Sequence, residues 1–346
     1  TGSEAAAVGR DEDDTIDALI KDIVAPYVRD KADPELPELL DALASTGNQL
    51  MRRICHASAF QQLEASWRSV LLLVRRLETG PGLKLFLADV AREEIQQDLE
   101  DCDGALERSG IYQLLVERHR VPGATMPALL NLDYYIEGSE DDISLLAAMG
   151  NIAAASGASV LAGARTVLAG CRDISMTQDP ADWQEPLEAE ARQRWQALRQ
   201  LPQSRHVALA APRFLLRLPY GKLTSPVESF EYTELPTDGA HPYYLWGNSA
   251  YLLTLLLAST YLQHGWSFKP GQIQVVEDFP LHVYTDEDGD STIKPCAELM
   301  LTDSASQRLM EAGILPVRSI KGQADIAIPQ FGALAEGSRL SGTWGD

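Results

Sequence analysis

The fold of this chain can be read outward from HVALAAPRFLLRLPYG, residues 206–221. The first part, HVALAAP (206–212), is a short apolar run that ends at a proline and predicts a strand. The second part, PRFLLRLPYG (212–221), carries Arg213 and Arg217 and no acidic residue, although the chain has a formal net charge of -21. The sequence therefore predicts a core strand whose continuation carries two cations that need carboxylates.

This continuation has two faces. Side chains alternate across a strand, so Phe214 and Leu216 point to one face, and Leu215 and Arg217 point to the other. The rigid Pro-Tyr-Gly sequence at 219–221 then turns the chain into a long, turn-rich insertion. We expect the strand to leave the core at this point.

Strand-like and helical patterns alternate on the N-terminal side of this stretch. Strands are predicted at 83–90, 128–134 and 158–164, and helices at 91–102, 105–119, 141–157 and 182–200. Alternation of this kind indicates a parallel or mixed sheet covered by helices. The predicted fold class is α/β, with mixed sheet(s) and flanking helices, preceded by an N-terminal helical segment.

The C-terminal part of the chain also contains both strand-like and helical patterns. The predicted elements are an insertion at 225–242, a buried helix at 245–265 with Asn248 as N-cap and Gly265 at its end, strands around an acidic turn within 273–302, a helix at 304–313, and strands at 314–320 and 324–331. There is no internal repeat.

The N-terminal part is helical in pattern, with apolar residues at helical spacing. Helices are predicted at 15–29, 36–56 and 58–79, the last with Phe60, Leu63, Trp67, Val70, Leu71 and Val74 on one face. The predicted domains are a disordered acidic tail at 1–14, a helical segment at 15–80, an α/β region at 81–335 with room for two subdomains and an insertion near 222–242, and a flexible end at 336–346.

Composition bounds the class of protein. The 346 residues are 45% hydrophobic and 23% charged, which is ordinary for a globular protein with a sizeable core. No apolar run reaches the roughly 18 residues of a membrane span, and the N-terminus has no basic and apolar signal pattern. The acidic balance argues against general nucleic-acid binding. We therefore expect a cytoplasmic protein that binds neither nucleic acid nor membrane.

Motifs for catalysis, metals or cofactors are weak. The four cysteines are widely spaced and are expected to be free thiols, and the six histidines are scattered. The acidic run that starts at Asp286 resembles the beginning of a calcium loop, but it has Ser291 and Ala297 where such a loop needs glycine and glutamate. Glu277 and Asp278 could form a carboxylate pair, although a strand-end pair that faces solvent or an arginine is commoner. The sequence predicts no enzyme, no metal site and no cofactor.

The distribution of charge is more informative. Residues 191–227 contain seven basic residues and no acidic one, whereas 133–142 holds five acids and 277–303 holds eight. One interpretation is neutralisation within the fold. The other is an electropositive strip that docks on an acidic face of a neighbouring copy or partner. The candidate interface or intramolecular salt-bridge residues are Arg205, Arg213, Arg217 and Lys222.

Several stretches together resemble a known family. They are SAFQQLEASWRSVLLLVRRLET (58–79), ISLLAAMGNIAAASGASVLAGA (143–164), APRFLLRLPYG (211–221), YYLWGNSAY (243–251), VVEDFPLHVY (275–284) and the closing LMLTDSASQRLMEAGILPVRSIKGQADIAI (299–328). In combination and in this order, they resemble the large subunit of the bacterial type VI secretion contractile sheath, over about residues 15–335.

The resemblance implies a structural role. Large subunits of this family pair with a small sheath subunit and with other copies of themselves. They polymerise around an inner tube protein, and an AAA+ unfoldase recycles the contracted sheath. We expect these partners here as implications of the resemblance.

Two departures from the family pattern are expected to matter. From the resemblance, we expect the chain to lack the family's C-terminal segment and part of its N-terminus. A non-polymerising sheath-like accessory protein therefore stays as an alternative, as does an unrecognised α/β enzyme or ligand-binding protein.

Overall fold

A computed structural model describes residues 22–25, 35–175, 177, 179–184, 187–228, 230–236, 240–285 and 288–344. The chain divides into two compact units, Thr1–Leu50 and Met51–Asp346. In the first unit the described residues form a helical turn at 22–24 and most of helix α1, Leu36–Cys55. The predicted tail at 1–14 and most of the predicted helix at 15–29 lie outside the described residues.

Seven further α-helices are described in the second unit. They are α2 Ser58–Arg76, α3 Arg92–Asp101, α4 Gly110–Leu115, α5 Glu140–Ser156, α6 Ala189–Gln200, α7 Ala250–His264 and α8 Asp303–Glu311. Their ends follow local chemistry: the hydroxyl of Ser139 accepts a hydrogen bond from the N–H of Asp142 at the start of α5, and Gly157 ends that helix with a positive φ. Within the described part of the chain, no helix combines the length and the apolar character needed to cross a membrane.

The core sheet has four parallel strands in the order β1-β2-β3-β9. These strands are β1 Leu129–Ile136, β2 Ser159–Ala164, β3 Val207–Ala211 and β9 Ile314–Pro316. Helices lie in the connections between successive strands, as parallel strands require. The α/β fold class is confirmed.

Helices cover both faces of this sheet, so its inner strands are buried throughout. On β3, Val207 and Leu209 belong to the core cluster that includes α5, α6 and α8, whereas Ala208 and Ala210 belong to the cluster that includes α7. Every residue of β2 and β3 is buried. A strand buried on two faces reads as a continuous apolar run, which explains the pattern of HVALAAP.

Shorter strands form three small sheets. They are β4 Phe214–Leu215 paired with β5 Trp246–Gly247, β7 His282–Thr285 paired with β8 Ser291–Lys294, and β10 Arg318–Ser319, β11 Ile326–Ala327 and β6 Val275–Val276 in the order β10-β11-β6. All of these pairs are antiparallel. A cis peptide bond between Ala211 and Pro212 separates β3 from β4. The predicted continuation of the core strand therefore joins a second sheet.

Some predicted elements were wrong. Segment 83–90 is not a strand: no neighbouring strand pairs with it in the described structure, and its Phe86 is 87% exposed. The predicted helix at 105–119 is three short helical pieces, 106–108, 110–115 and 117–119, of which the middle one is α4. Apolar composition alone does not form a strand, because a strand also needs a hydrogen-bonding neighbour.

Helix α2 has an apolar stripe that points outward. Residues 60, 63, 67, 71 and 74 lie on one side at helical spacing. Their side chains are between 40% and 58% exposed, whereas Ser69 and Leu73 are the buried residues of this helix. We call Phe60, Leu63, Trp67, Leu71 and Val74 the α2 stripe.

The C-terminal end contributes to the core. The predicted flexible segment 336–346 contains Leu340 and Trp344, which are buried in the same cluster as α7. The Trp344 ring packs at 5.1 Å from that of Phe268. The apolar side chains among the glycines and serines of this end therefore pack against the fold.

Candidate functional site

The two arginines of PRFLLRLPYG lie on the side of β4 that faces the insertion, which we define as residues 222–245. Leu215 packs with Leu235, Tyr244 and Trp246 in a small apolar cluster. Phe214 and Leu216 belong instead to the core cluster around α7. The predicted alternation is confirmed.

Arg213 forms an ion pair with Glu298. The Arg213 Nε donates to Glu298 Oε2 at 3.1 Å, and a second guanidinium nitrogen donates to Oε1. The backbone is joined as well, since the N–H of Glu298 donates to the Arg213 carbonyl at 2.9 Å. This fork-to-fork pair holds β4 to the segment that follows β8.

His241 connects the insertion to this pair. Its Nε2 lies 2.9 Å from Glu298 Oε1, and its Nδ1 lies 3.0 Å from the Nζ of Lys294. Because the Lys294 ammonium can only donate, we assign Nδ1 of His241 as the acceptor from Lys294 and Nε2 as the donor to Glu298. The His241 ring also stacks on Trp246 at 4.9 Å.

The carboxylate at the centre of this cluster is held in its ionised form. Burial alone would raise the pKa of Glu298. The hydrogen bonds from His241 and Arg213 lower it by more than burial raises it, so its pKa lies well below the usual range. Burial lowers the pKa of Lys294, and the nearby Glu298 opposes this only in part. Arg213, His241, Lys294 and Glu298 thus form one cluster around an ionised carboxylate that is paired with Arg213.

Arg217 forms a second cluster with two carboxylates. Its Nε donates to Glu64 Oε1 on α2 at 2.8 Å. Its two terminal nitrogens donate to the two oxygens of Glu234, in the insertion, at 2.6 and 2.8 Å. Arg217 is only 9% exposed, and its guanidinium lies 4.3 Å from the centre of the Tyr220 ring. One side chain thus joins β4, α2 and the insertion.

Burial and pairing act in opposite directions on this second cluster. Burial alone would lower the pKa of Arg217, but the hydrogen bonds that it donates to its carboxylate partners, Glu234 first and then Glu64, raise its pKa well above the usual range. For Glu64, burial would raise the pKa, and the bond from Arg217 brings it below the usual value. Both arginines therefore stay charged, Arg217 in a buried site and Arg213 in a half-buried one.

Arg205 and Lys222 lie elsewhere. Lys222 Nζ is 3.7 Å from Glu231 Oε1, with both side chains almost fully exposed. Arg205 is exposed in the turn before β3. The four basic candidates are therefore not brought together. Arg217 is buried and Arg213 is half-buried, each in its own cluster, and the other two lie on the surface.

The other candidate features from the sequence have contacts typical of structural residues. The carbonyls of Glu277 and Asp278 accept hydrogen bonds from Arg76 at 2.5 and 2.6 Å. The four cysteines are buried free thiols. Asp286 lies outside the described residues. Across the described ranges, no group of three or more His, Cys, Asp or Glu side chains is arranged as a metal site.

Sequence patterns indicate little about which carboxylates pair with the two arginines. Glu64 is 153 positions from Arg217, and Glu298 is 85 positions from Arg213. The family-like LWGN stretch carried a clearer signal. The side chain of Asn248 accepts from the N–H of Ala250 at 2.9 Å and donates to the carbonyl of Tyr134 at 3.0 Å, so it fixes α7 against β1.

Comparisons with known proteins match the sequence of this chain to sheath proteins. The model of the VipB family, described as EvpB/VC_A0108, tail sheath N-terminal domain, matches residues 38–332. The Type VI secretion system sheath protein TssC1 of Pseudomonas aeruginosa (strain PAO1) is 29% identical over 289 residues. The matched region covers 82% of this chain and 58% of TssC1, so the chain spans less than two thirds of that relative.

Proposed function

Because the chain belongs to the VipB family of type VI secretion sheath proteins, we propose that it acts as a structural subunit of a contractile sheath. The observation that carries this proposal is the family match over residues 38–332, which includes nearly every element of the described fold. Its role is assembly through protein–protein contacts in the cytoplasm, without catalytic turnover of its own.

The proposed partners follow from the family. They are a small sheath subunit, further copies of this chain, the inner tube protein and an AAA+ unfoldase. Assembly with these partners would require exposed surfaces on this chain that can bind another protein.

The two arginine clusters support this role indirectly. Arg213 and Arg217 hold β4, α2 and the insertion in one arrangement. Their carboxylate partners lie within the chain, so we infer that they shape the surface that a partner meets. Rigid subunits transmit force better than loosely packed ones, because packed interiors have low compressibility.

The α2 stripe supports the role directly. Five large apolar side chains at helical spacing are exposed, with Trp67 at 58%. Segment 83–90, which follows this helix, exposes Phe86 and Leu87 as well. Contiguous apolar surface of this kind marks interaction sites in soluble proteins. We assign the α2 stripe to the contact with the small sheath subunit.

Co-expression with the small sheath subunit of the same secretion system tests the proposal. Size-exclusion chromatography and negative-stain microscopy should show a stable heterodimer or tubes. A chain that elutes alone, while its partner is folded and present, would contradict the sheath function.

Variants of the α2 stripe test the assigned contact. The double substitution Leu63→Ser and Trp67→Ser should weaken association about tenfold or more, because buried aromatic anchors dominate interfaces. Leu223→Ser is the matched control, since Leu223 is 98% exposed and lies outside the stripe. If the double variant associates as tightly as the control, the stripe is not the contact.

A further inference from the structure

An open cleft of about 570 Å³ lies in the second unit, away from both arginine clusters. Its walls come from the turn before β3, the 269–272 loop after α7, and the C-terminal segment 338–344. Hydrogen bonds to main-chain carbonyl groups hold the C-terminal segment in place. The N–H of Ser341 donates to the carbonyl of Arg205 at 2.8 Å, and the hydroxyl of Ser159 donates to the carbonyl of Ser341 at 2.6 Å.

The charges that line this cleft are all positive. Arg205, Lys269 and Arg339 line it, and no aspartate or glutamate is among its lining residues. All three side chains are exposed, and within the described residues none of them forms an ion pair. This is unusual in a chain with 50 acidic and 29 basic residues, in which Arg213 and Arg217 are both matched to carboxylates.

The base of the cleft is apolar and aromatic. Phe331, Leu340 and Trp344 line it, and the last two are buried in the core cluster around α7. Gly271, with a φ of +88°, brings the 269–272 loop against Phe331. A Cβ at this glycine would lie 3.3 Å from that of Phe331. The apolar base is therefore a built part of the fold.

We propose that this cleft binds an acidic peptide segment of another protein, with carboxylates at the cationic rim and an apolar side chain against the aromatic base. Arginine pairs with carboxylates through its planar fork, while the aromatic base gains from contact with a hydrophobic group. A small inorganic anion would engage the rim and leave the base unused. The proposal does not rest on sheath assembly, because all the lining residues belong to one chain.

Binding of a synthetic peptide to the purified chain tests this site. The probe is a fluorescein-labelled hexapeptide, EDFLDE, followed by fluorescence anisotropy at about 50 mM salt, where surface charges are weakly screened. The amide analogue QNFLNQ tests the charges, and EDSSDE tests the apolar contact without changing the protein. We expect EDFLDE to bind more tightly than both analogues, and more weakly as salt rises.

The triple variant Arg205→Gln, Lys269→Gln, Arg339→Gln should bind EDFLDE about tenfold more weakly, since each exposed ion pair contributes a factor of about two to five. Lys222→Gln is the matched control, because this exposed cation lies outside the cleft. Circular dichroism checks that both variants are folded.

Several results would overturn the proposal. These are no binding of EDFLDE, undiminished binding by the triple variant, or equal binding of QNFLNQ. Equal binding of EDSSDE, or full displacement of EDFLDE by inorganic phosphate, would identify a simple anion site instead.

Discussion

Replacing Arg217 by methionine is the sharpest test of how the fold holds the insertion. The substitution keeps much of the buried aliphatic volume and removes the charge. It leaves Glu64 and Glu234 facing each other without the cation that both now share. We expect a folded but clearly destabilised protein.

The size of the effect follows from what each carboxylate keeps. Glu64 retains the guanidinium of Arg68 at 2.7 Å and is partly solvated. Among the described residues, the buried carboxylate of Glu234 would keep one hydrogen bond, from the N–H of Tyr220 at 2.7 Å, and His56 Nε2 lies 4.0 Å away. Removing one partner of a buried ion pair costs about 3–5 kcal/mol of the free energy of unfolding. Because one carboxylate remains compensated, we expect the lower end, about 3 kcal/mol.

Urea unfolding followed by tryptophan fluorescence measures this difference. Lys222→Met is the matched control, because its ion pair with Glu231 is exposed and should contribute less than about 1 kcal/mol. Adding Glu234→Gln to Arg217→Met should recover part of the loss, since the uncompensated buried charge is then removed. A loss below about 1 kcal/mol for Arg217→Met alone would refute the reasoning.

Two further predictions concern the Arg213 cluster and the core sheet. The pKa of Glu298 is lower in the folded chain than its ordinary value of 4.5, so its contribution to stability is complete above about pH 4.5 and is lost as the pH falls below it. Urea midpoints between about pH 7 and pH 3 should therefore fall less steeply for Glu298→Gln than for the natural chain, and equal slopes would contradict the assignment. Gly163→Ala should cost about 1–3 kcal/mol, because its Cβ would lie 2.5 Å from the side-chain oxygen of Asn248. Thermal melts of both variants measure this loss, and Gly80→Ala, with open space around the new Cβ, should be close to neutral in them.

Local patterns predicted much of the fold. Strands β1, β2 and β3 and helices α3 and α5 lie within about two residues of their predicted ranges. The apolar runs and the capping residues that define these elements are near one another in sequence. Segment 83–90 shows the limit of this method, because its apolar pattern is strand-like and the folded chain offers it no neighbouring strand.

The arginine clusters show a different limit. The sequence predicted that Arg213 and Arg217 need carboxylates, and it left open whether these lie inside the chain or on a neighbour. The structure pairs them with Glu298 and with Glu64 and Glu234. No local pattern identifies these partners, because any of the 50 acidic residues in the chain could pair with an arginine.

By itself, then, the sequence determined the α/β class, the two faces of PRFLLRLPYG and the resemblance to sheath proteins, because each rests on residues close together in the chain or on short motifs. Only the tertiary structure decided the strand order β1-β2-β3-β9, the partners of the arginines and the exposure of the α2 stripe. The physical reason is that hydrogen-bonded strand neighbours, buried ion pairs and solvent exposure all depend on contacts between residues far apart in sequence. Such contacts are set when the whole chain packs.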